Sequence, residues 1–531
     1  MQDPVVSTSA EFAALKAAAR GGTISRRELV RRGIALGVGG PALVGLLMSY
    51  QGTEVAAQDG PAAPAGPDAV KGKSYDIAIL GIEGWPPSAL GADLATELFK
   101  PYAKETLGYD VNFTFEGAPF DALFQKAANS LATGTAEYNI IISDSQWLGA
   151  LSSPGWIIQL NDIIAANPEL NIEFEDAAQQ GYRVYPDGSD QLWGFPQEGD
   201  TIALFVRQDL FSDQKERDAF KAANGGTDLP QTFEDWEAID IDQFEKITAF
   251  FTRPDANLYG TAMQWSKVYD YVSCYLYPFM FSTGGEIIEG NAADKTYKVE
   301  GVLDSEINAA AMVRNKGFLQ YAPEGATNYG IPELVDVFTS GVVATTFQWS
   351  ALGPQMLNVA ADASKPVQAD MVKVMVPPAF KQADGSLNRT YALGGQPWVI
   401  NAFNDAEQMQ VAVDFMKWWY SDATQAEFAK RGGNPCVKSA LAAEGFEELQ
   451  PHFRAFKYMI QENRSRDFWH DPNYAEMLAV QQEAFNGFLT DVVTDPMEAL
   501  KYVAVKQQGI LYDAGQTDIE PSVDPGSLTL G

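Results

Sequence analysis

Between Ser74 and Asp144 the hydrophobic pattern switches four times between a period of two and a period near 3.6. That switching restricts the fold more than any other feature of the chain. Ser74–Leu80 (SYDIAIL) reads as a strand. Pro87–Tyr102 reads as a helix, with Leu90, Leu94, Leu98 and Tyr102 at four-residue spacing. Val111, Phe113 and Phe115 alternate as a strand does. Phe120, Leu123, Phe124, Ala127, Ala128 and Leu131 then form one continuous helical face. Tyr138–Ile142 (YNIII) has the composition of a buried strand and ends at Ser143-Asp144. The order βαβαβ requires right-handed crossovers between parallel strands, with helices packed on the sheet. The fold class is therefore α/β.

Open α/β sheets bind ligands beyond the carboxyl ends of their strands. Three segments fall there: Glu83-Gly84-Trp85, Glu116-Gly117-Ala118-Pro119 and Asp144-Ser145-Gln146-Trp147. Carboxylates accept hydrogen bonds and tryptophan faces stack on apolar ligand surfaces. Asp144 with Trp147 reads as a site. Glu116 and Trp156 read as a turn residue and a core aromatic.

The side-chain inventory narrows the chemistry. The 531 residues hold two histidines, His452 and His470, and two cysteines, Cys274 and Cys436. That supply excludes a three-histidine zinc site and a disulfide-dense scaffold. One Cys274–Cys436 disulfide is left open. Both histidines read as packing or surface residues, and Asp187-Gly188-Ser189-Asp190 reads as a turn rather than a calcium loop. No cofactor and no metal is expected. With 37 basic against 70 acidic residues the net charge is −33, which repels phosphate backbones and argues against nucleic-acid binding. Aromatics make up 12% of the chain, enough to build sizeable cores.

Residues 1–57 read as an export leader. Ser25-Arg26-Arg27-Glu28-Leu29 precedes a glycine-diluted apolar stretch, Gly33–Met48, and Val55-Ala56-Ala57 offers small residues for cleavage. The arginine pair resembles the twin-arginine signal. Residues 58–73, rich in Pro, Ala and Gly, read as a flexible tether.

Further along, Thr201–Val206 is strand-like and Thr232 is placed to cap a helix. Tyr259-Gly260 opens another strand-like stretch, and an aromatic-crowded segment runs from Trp265 to Phe281. Val342–Phe347 with Gln348-Trp349, Val372–Val376, and Gly394-Gly395 through Ile400 read as strands, and Glu407–Tyr420 as a helix.

The order of these pieces resembles the extracellular solute-binding proteins of ABC importers, in their carbohydrate-type branch, over about residues 75–485. Phe120–Lys126 with Ala132-Thr133-Gly134 resembles that family's second helix, and Tyr138–Asp144 with Trp147 its ligand-reaching loop. Leu229–Trp236 resembles its "Pro-x-Thr-Trp-x-Glu" helix start, with Phe233 for the usual Trp. Gly341–Trp349 resembles its "Gly-Lys-Ala-Ala-Met…Trp" segment, with Val342 and Thr345 replacing Lys and Met. Phe195–Phe205, Gly394–Ile400 and Gly433-Asn434-Pro435 resemble three crossings between lobes. The resemblance implies a two-lobe periplasmic binding protein fold of type II. The lobes would be 74–200 with 394–434, and 201–393 with 435–531. It implies a monomeric, non-catalytic periplasmic protein that carries a sugar, oligosaccharide or sugar alcohol to a membrane permease. The implied ligand-binding residues are Glu83, Trp85, Asp144, Trp147, Gln197, Glu198, Asp200, Trp265, Trp349, Gly394, Gly395 and Asn434. Two rivals remain: a secreted glycoside hydrolase with a carboxylate pair, and a sensor lobe serving a chemoreceptor.

Overall fold

The computed structural model describes residues 60–530 apart from 359, 360 and 463, together with Ala14, Leu15, Ala18 and Arg32. The leader expected over residues 1–57 lies outside the described residues but for those four positions.

The first unit is built as its periodicity requires. β1 (Ser74–Ile82) pairs in parallel with β2 (Asp110–Ala118), Ser74 opposite Asp110 and Ile82 opposite Ala118. It also pairs in parallel with β3 (Ile140–Ile142). Helix α1 (Pro86–Leu94) follows β1, and α2 (Phe120–Ala132) follows β2. In α2 the buried residues include Leu123, Phe124, Ala127, Ala128 and Leu131, the face expected from spacing.

The face of the first helix differs from expectation. Leu98 and Tyr102 are each 37% exposed, whereas Gly91, Leu94, Ala95, Phe99 and Ala103 are buried. Beyond α1 the chain continues helically through π-type turns at Ala95–Phe99 and Ala103–Leu107, on either side of Pro101. Proline lacks the N–H of a regular turn. The wider turns shift the register so that residues 91, 95, 99 and 103 share one face.

The central feature is a long antiparallel pair. β4 (Phe195–Arg207) is buried over twelve consecutive residues. Its first half pairs with the strand Tyr391–Ile400, Phe195 opposite Trp398 and Thr201 opposite Leu393. Its second half pairs on its two edges with β5 (Thr345–Trp349) and β6 (Val372–Met375). After a separate small hairpin of β7 (Phe380–Lys381) and β8 (Leu387–Asn388), Tyr391–Ile400 is β9. β9 in turn pairs with β3 and with β10 (Ser465–Arg466). The sheet runs β2-β1-β3-β9-β4-β5, so the parallel unit is joined to the β5–β6 region through two shared strands. The stretch at Tyr259 forms only an isolated bridge to Val343.

Helices cover this sheet. α3 (Ser273–Thr283) and α4 (Ile331–Thr339) flank the second half. α5 (Ala406–Trp419), with a capping box from Asp405 and Gln408, packs its Phe415 on Phe99, ring centroids 5.3 Å apart. The expected cap at Thr232 is present, its hydroxyl accepting from the Asp235 amide. α6 (Phe453–Ile460), α7 (Tyr474–Leu489) and α8 (Pro496–Asp513) complete the chain. The segment read as a tether is docked at its far end. The Ala65 amide donates to the Ala406 carbonyl at 2.8 Å, the Gly66 amide donates to Gln410 Oε1 at 3.0 Å, and Val70 is buried. Among the described residues, no helix is long and apolar enough to cross a membrane.

Candidate ligand-binding cleft

β3 ends at Ile142, and beyond Ser143 stands Asp144, which is buried although it is a carboxylate close behind a strand of three isoleucines. Its Oδ2 accepts from the Tyr269 hydroxyl at 2.6 Å and its Oδ1 from the Ser145 hydroxyl at 3.3 Å. Next to it Gln146 Nε2 donates to Asp270 Oδ2 at 3.1 Å. Trp147 Nε1 donates to the Tyr269 hydroxyl at 3.0 Å while its ring packs against Phe120 and Phe124. Tyr269 holds a left-handed backbone, φ 48°, uncommon for a bulky residue. The β3 loop and the Tyr269-Asp270 turn thus close on each other through side chains.

The shared strands form the back wall. Trp85, at the start of α1, donates Nε1–H to Glu198 Oε1 at 3.0 Å. Gln197 Nε2 donates to the Pro87 carbonyl at 3.0 Å. Asp200 Oδ1 accepts from the Ser350 hydroxyl at 2.6 Å and from the amides of Ala351 at 3.0 Å and Thr201 at 2.8 Å. Asp200 Oδ2 is buried with no partner. Trp349, at the end of β5, lies across β9. A Cβ on Gly394 would stand 2.5 Å from its ring. Gly395 has φ +108°, and a Cβ there would meet the Glu198 carbonyl at 2.7 Å. Gly395 therefore requires glycine, and a side chain at Gly394 would displace the Trp349 ring.

These walls line a narrow cavity. Trp85, Phe120, Trp349 and Tyr271 supply its aromatic lining, and Asp144, Gln146, Asp200, Asp270 and Gln396 its polar lining. A model of the bacterial extracellular solute-binding protein family matches residues 97–454. The chain belongs to that family.

Solved structures share the architecture of this solute-binding protein. An ABC transporter solute-binding protein from Agrobacterium radiobacter, in complex with ribitol, is 22% identical with a TM-score of 0.64, over 82% of this chain and 98% of that one. A maltose-bound protein of T. maritima is 18% identical with a TM-score of 0.62, over 81% and 98%. A protein from Agrobacterium vitis with bound D-mannitol is 17% identical with a TM-score of 0.60, over 83% and 99%. At these identities the likeness bears on the fold, which is the two-lobe binding-protein fold. No curated protein sequence matches the chain.

The structure of this solute-binding protein sorts the expected residues into three groups. Trp85, Asp144, Asp200, Trp349, Gly394 and Gly395 line one cavity. Trp147, Gln197, Glu198 and Asn434 stand behind its wall and hold it. Asn434 Nδ2 donates to the Ser350 hydroxyl at 3.0 Å, and its Oδ1 meets His452 Nε2 at 3.1 Å. Burial lowers the His452 pKa to about 3, and because Nε2 faces an amide oxygen it is Nε2–H that donates. The other two lie apart from the cavity lining. Trp265 is a core residue whose Nε1 donates to Asn315 Oδ1 at 2.8 Å, and Glu83 is exposed beside the end of β2. Asp270, Tyr271, Gln396 and Phe120 are cavity residues the sequence reading did not single out.

The carboxylates of this solute-binding protein sit in an unfavourable place for charge. Burial pushes Asp144 and Glu198 well above the carboxylate range, with Asp270 and Asp200 as their respective charged neighbours. Burial also raises Asp200 and Asp270, although donors to each oppose the shift. The two cysteines are free and buried, so the disulfide left open by the sequence is not formed. His470 is no surface residue either. It is buried between Asp187, at 2.7 Å, and Asp467, at 3.4 Å, and despite burial these carboxylates raise its pKa to about 10. Asp187 thereby serves an ion pair.

Proposed function

We propose that this protein captures a sugar or sugar alcohol outside the cytoplasmic membrane and presents it to the permease of an ABC importer, with no catalysis of its own. The carrying observation is the leftover hydrogen-bonding capacity of the cavity. Asp200 Oδ2, Gln146 Oε1 and Gln396 Oε1 are buried acceptors without partners, beside the indoles of Trp85 and Trp349. A polyhydroxylated ligand supplies donors to such acceptors and C–H faces to the indoles. Buried acceptors left unpaired cost free energy, and the ligand recovers it. The bound ribitol, maltose and mannitol of the structural neighbours support this reading.

The lobes in this proposal are residues 74–200 with 394–434, and 201–393 with 435–531. Ligand contacts from both lobes stabilise the closed form, and the permease selects it. Export by the twin-arginine route to the periplasm and action as a monomer belong to the same proposal. Calorimetric titration with ribitol, mannitol and maltose tests it. Saturable heat with at least one is expected. Failure of every sugar and polyol, with binding of a peptide or polyamine, would overturn it.

A further inference from the structure

The cavity contains three carboxylates, Asp144, Asp200 and Asp270, and no basic residue lines it. A buried carboxylate is tolerated when it is paired with a cation or fully hydrogen-bonded. Asp144 and Asp270 have donors from Tyr269 and Gln146, which leaves them without counter-charge. Asp200 is only half satisfied. Its Oδ1 takes three protein donors, and its Oδ2 has none although Asp200 is 0% exposed. The nearby imidazole of His470 is spent on Asp187 and Asp467. Among the described residues, no group of three or more His, Cys, Asp or Glu side chains is placed to hold a metal ion.

We infer that the ligand is an amine-bearing sugar or polyol whose ammonium group sits against Asp200, in the cavity that Asp144 and Asp270 also line. The inference rests on the sugar-binding reading above and narrows it. An ammonium has three N–H donors and no acceptor, which suits a site whose leftover groups are acceptors. Asp200 Oδ2 takes one donor, and Gln146 Oε1 and Gln396 Oε1 are open to others. The positive charge supplies what no protein residue of the lining supplies. The ligand's hydroxylated body is left to stack on Trp85 and Trp349, which distinguishes it from a plain alkyl diamine.

Matched pairs test the inference in calorimetric titrations of the full chain. Glucosamine is compared with glucose, 1-amino-1-deoxysorbitol with sorbitol, and N-acetylglucosamine serves as the uncharged amide control. The amines are expected to bind at least tenfold more tightly than their hydroxyl partners and the amide control. Asp200→Asn and Asp270→Asn, each nearly isosteric, are expected to cut that preference below threefold, with circular dichroism confirming that they fold. If neutral sugars saturate the protein and amines bind no better, the inference is overturned while the sugar-binding function stands. If putrescine binds as tightly as any amino sugar and no neutral sugar binds, or if nothing in the panel binds, both are overturned.

Discussion

Gly394→Ala isolates the contact between the shared strand and the cleft tryptophan. Gly394 sits in ordinary strand backbone, so alanine meets no conformational barrier there. The three atoms nearest to its added Cβ all belong to the Trp349 ring, at 2.5, 2.9 and 2.9 Å. Carbon atoms rest about 3.5–4.0 Å apart, so the indole edge must retreat by about 1 Å. Trp349 lines the cavity, so a ring displaced towards it occupies ligand space. Overpacking of this kind costs about 1–3 kcal/mol of stability, and we expect ligand affinity to fall at least tenfold, about 1.4 kcal/mol. A double-mutant cycle with Trp349→Ala separates clash from strain. With the indole removed, the methyl group meets none of its three close neighbours. The cost of Gly394→Ala should then drop to within about 0.5 kcal/mol of zero, because alanine also loses less backbone entropy than glycine. Urea denaturation gives the stabilities and calorimetry the affinities. Equal destabilisation by Gly394→Ala in both backgrounds would refute the reasoning.

Three further outcomes are expected. Asp144→Ala and Trp349→Ala should each weaken ligand binding at least tenfold in calorimetry; unchanged affinity in both would place the pocket elsewhere. Trp265→Phe should cost about 1–3 kcal/mol in denaturant melts, because Asn315 Oδ1 loses its buried donor, while leaving affinity within about twofold. His470→Gln should be destabilising by about 3 kcal/mol near pH 6 and much less so near pH 10. The folded imidazole has its pKa raised to about 10 from 6.5, so its stabilisation is whole below 6.5 and lost as pH rises through 10. A stability gap independent of pH would mean that His470 is not held as a cation.

Much of the fold could be read from the chain because local periodicity and tertiary burial agree in it. α2 buries the face its spacing predicts, and the three parallel strands follow from βαβαβ order. The first helix departs where a proline widens the turns, and a four-residue stripe then marks the wrong side. Of the cavity lining, Asp144 could be read as a polar residue that follows a hydrophobic strand, whereas Asp200 was named only through the family resemblance. The site was not legible for Asp270 and Tyr271, which are brought in from an aromatic-rich segment by long-range pairing. Trp265 shows the converse. An indole and its partner asparagine, fifty residues apart, form a buried hydrogen bond that no local pattern announces.

Asp200 explains why a carboxylate is kept at so costly a position. It lies on β4, at the point where pairing passes from β9 to β5. Its Oδ1 binds Ser350 and Ala351 just beyond β5. Ser350 is in turn held by Asn434, Asn434 by His452, and the Asn434 carbonyl by the Gly199 amide at 2.8 Å. All three segments read as crossings converge around this residue or its immediate neighbours, since β9 pairs Gly394 directly with Asp200. One oxygen of Asp200 is committed to that network, and the other is buried without a partner on a residue that lines the cavity. A ligand donor arriving at Oδ2 completes the satisfaction of a group whose other oxygen is already held by the segments read as crossings. Because a ligand can shift an equilibrium only by its differential affinity for the two states, a residue with one oxygen in each role is where that difference is largest. Isosteric Asp200→Asn should therefore weaken ligand-driven closure, measured as the change in radius of gyration on adding ligand, by more than Asp144→Asn does at equal ligand occupancy. A larger effect from Asp144, which contacts no hinge strand through its side chain, would assign the coupling to the cleft mouth instead.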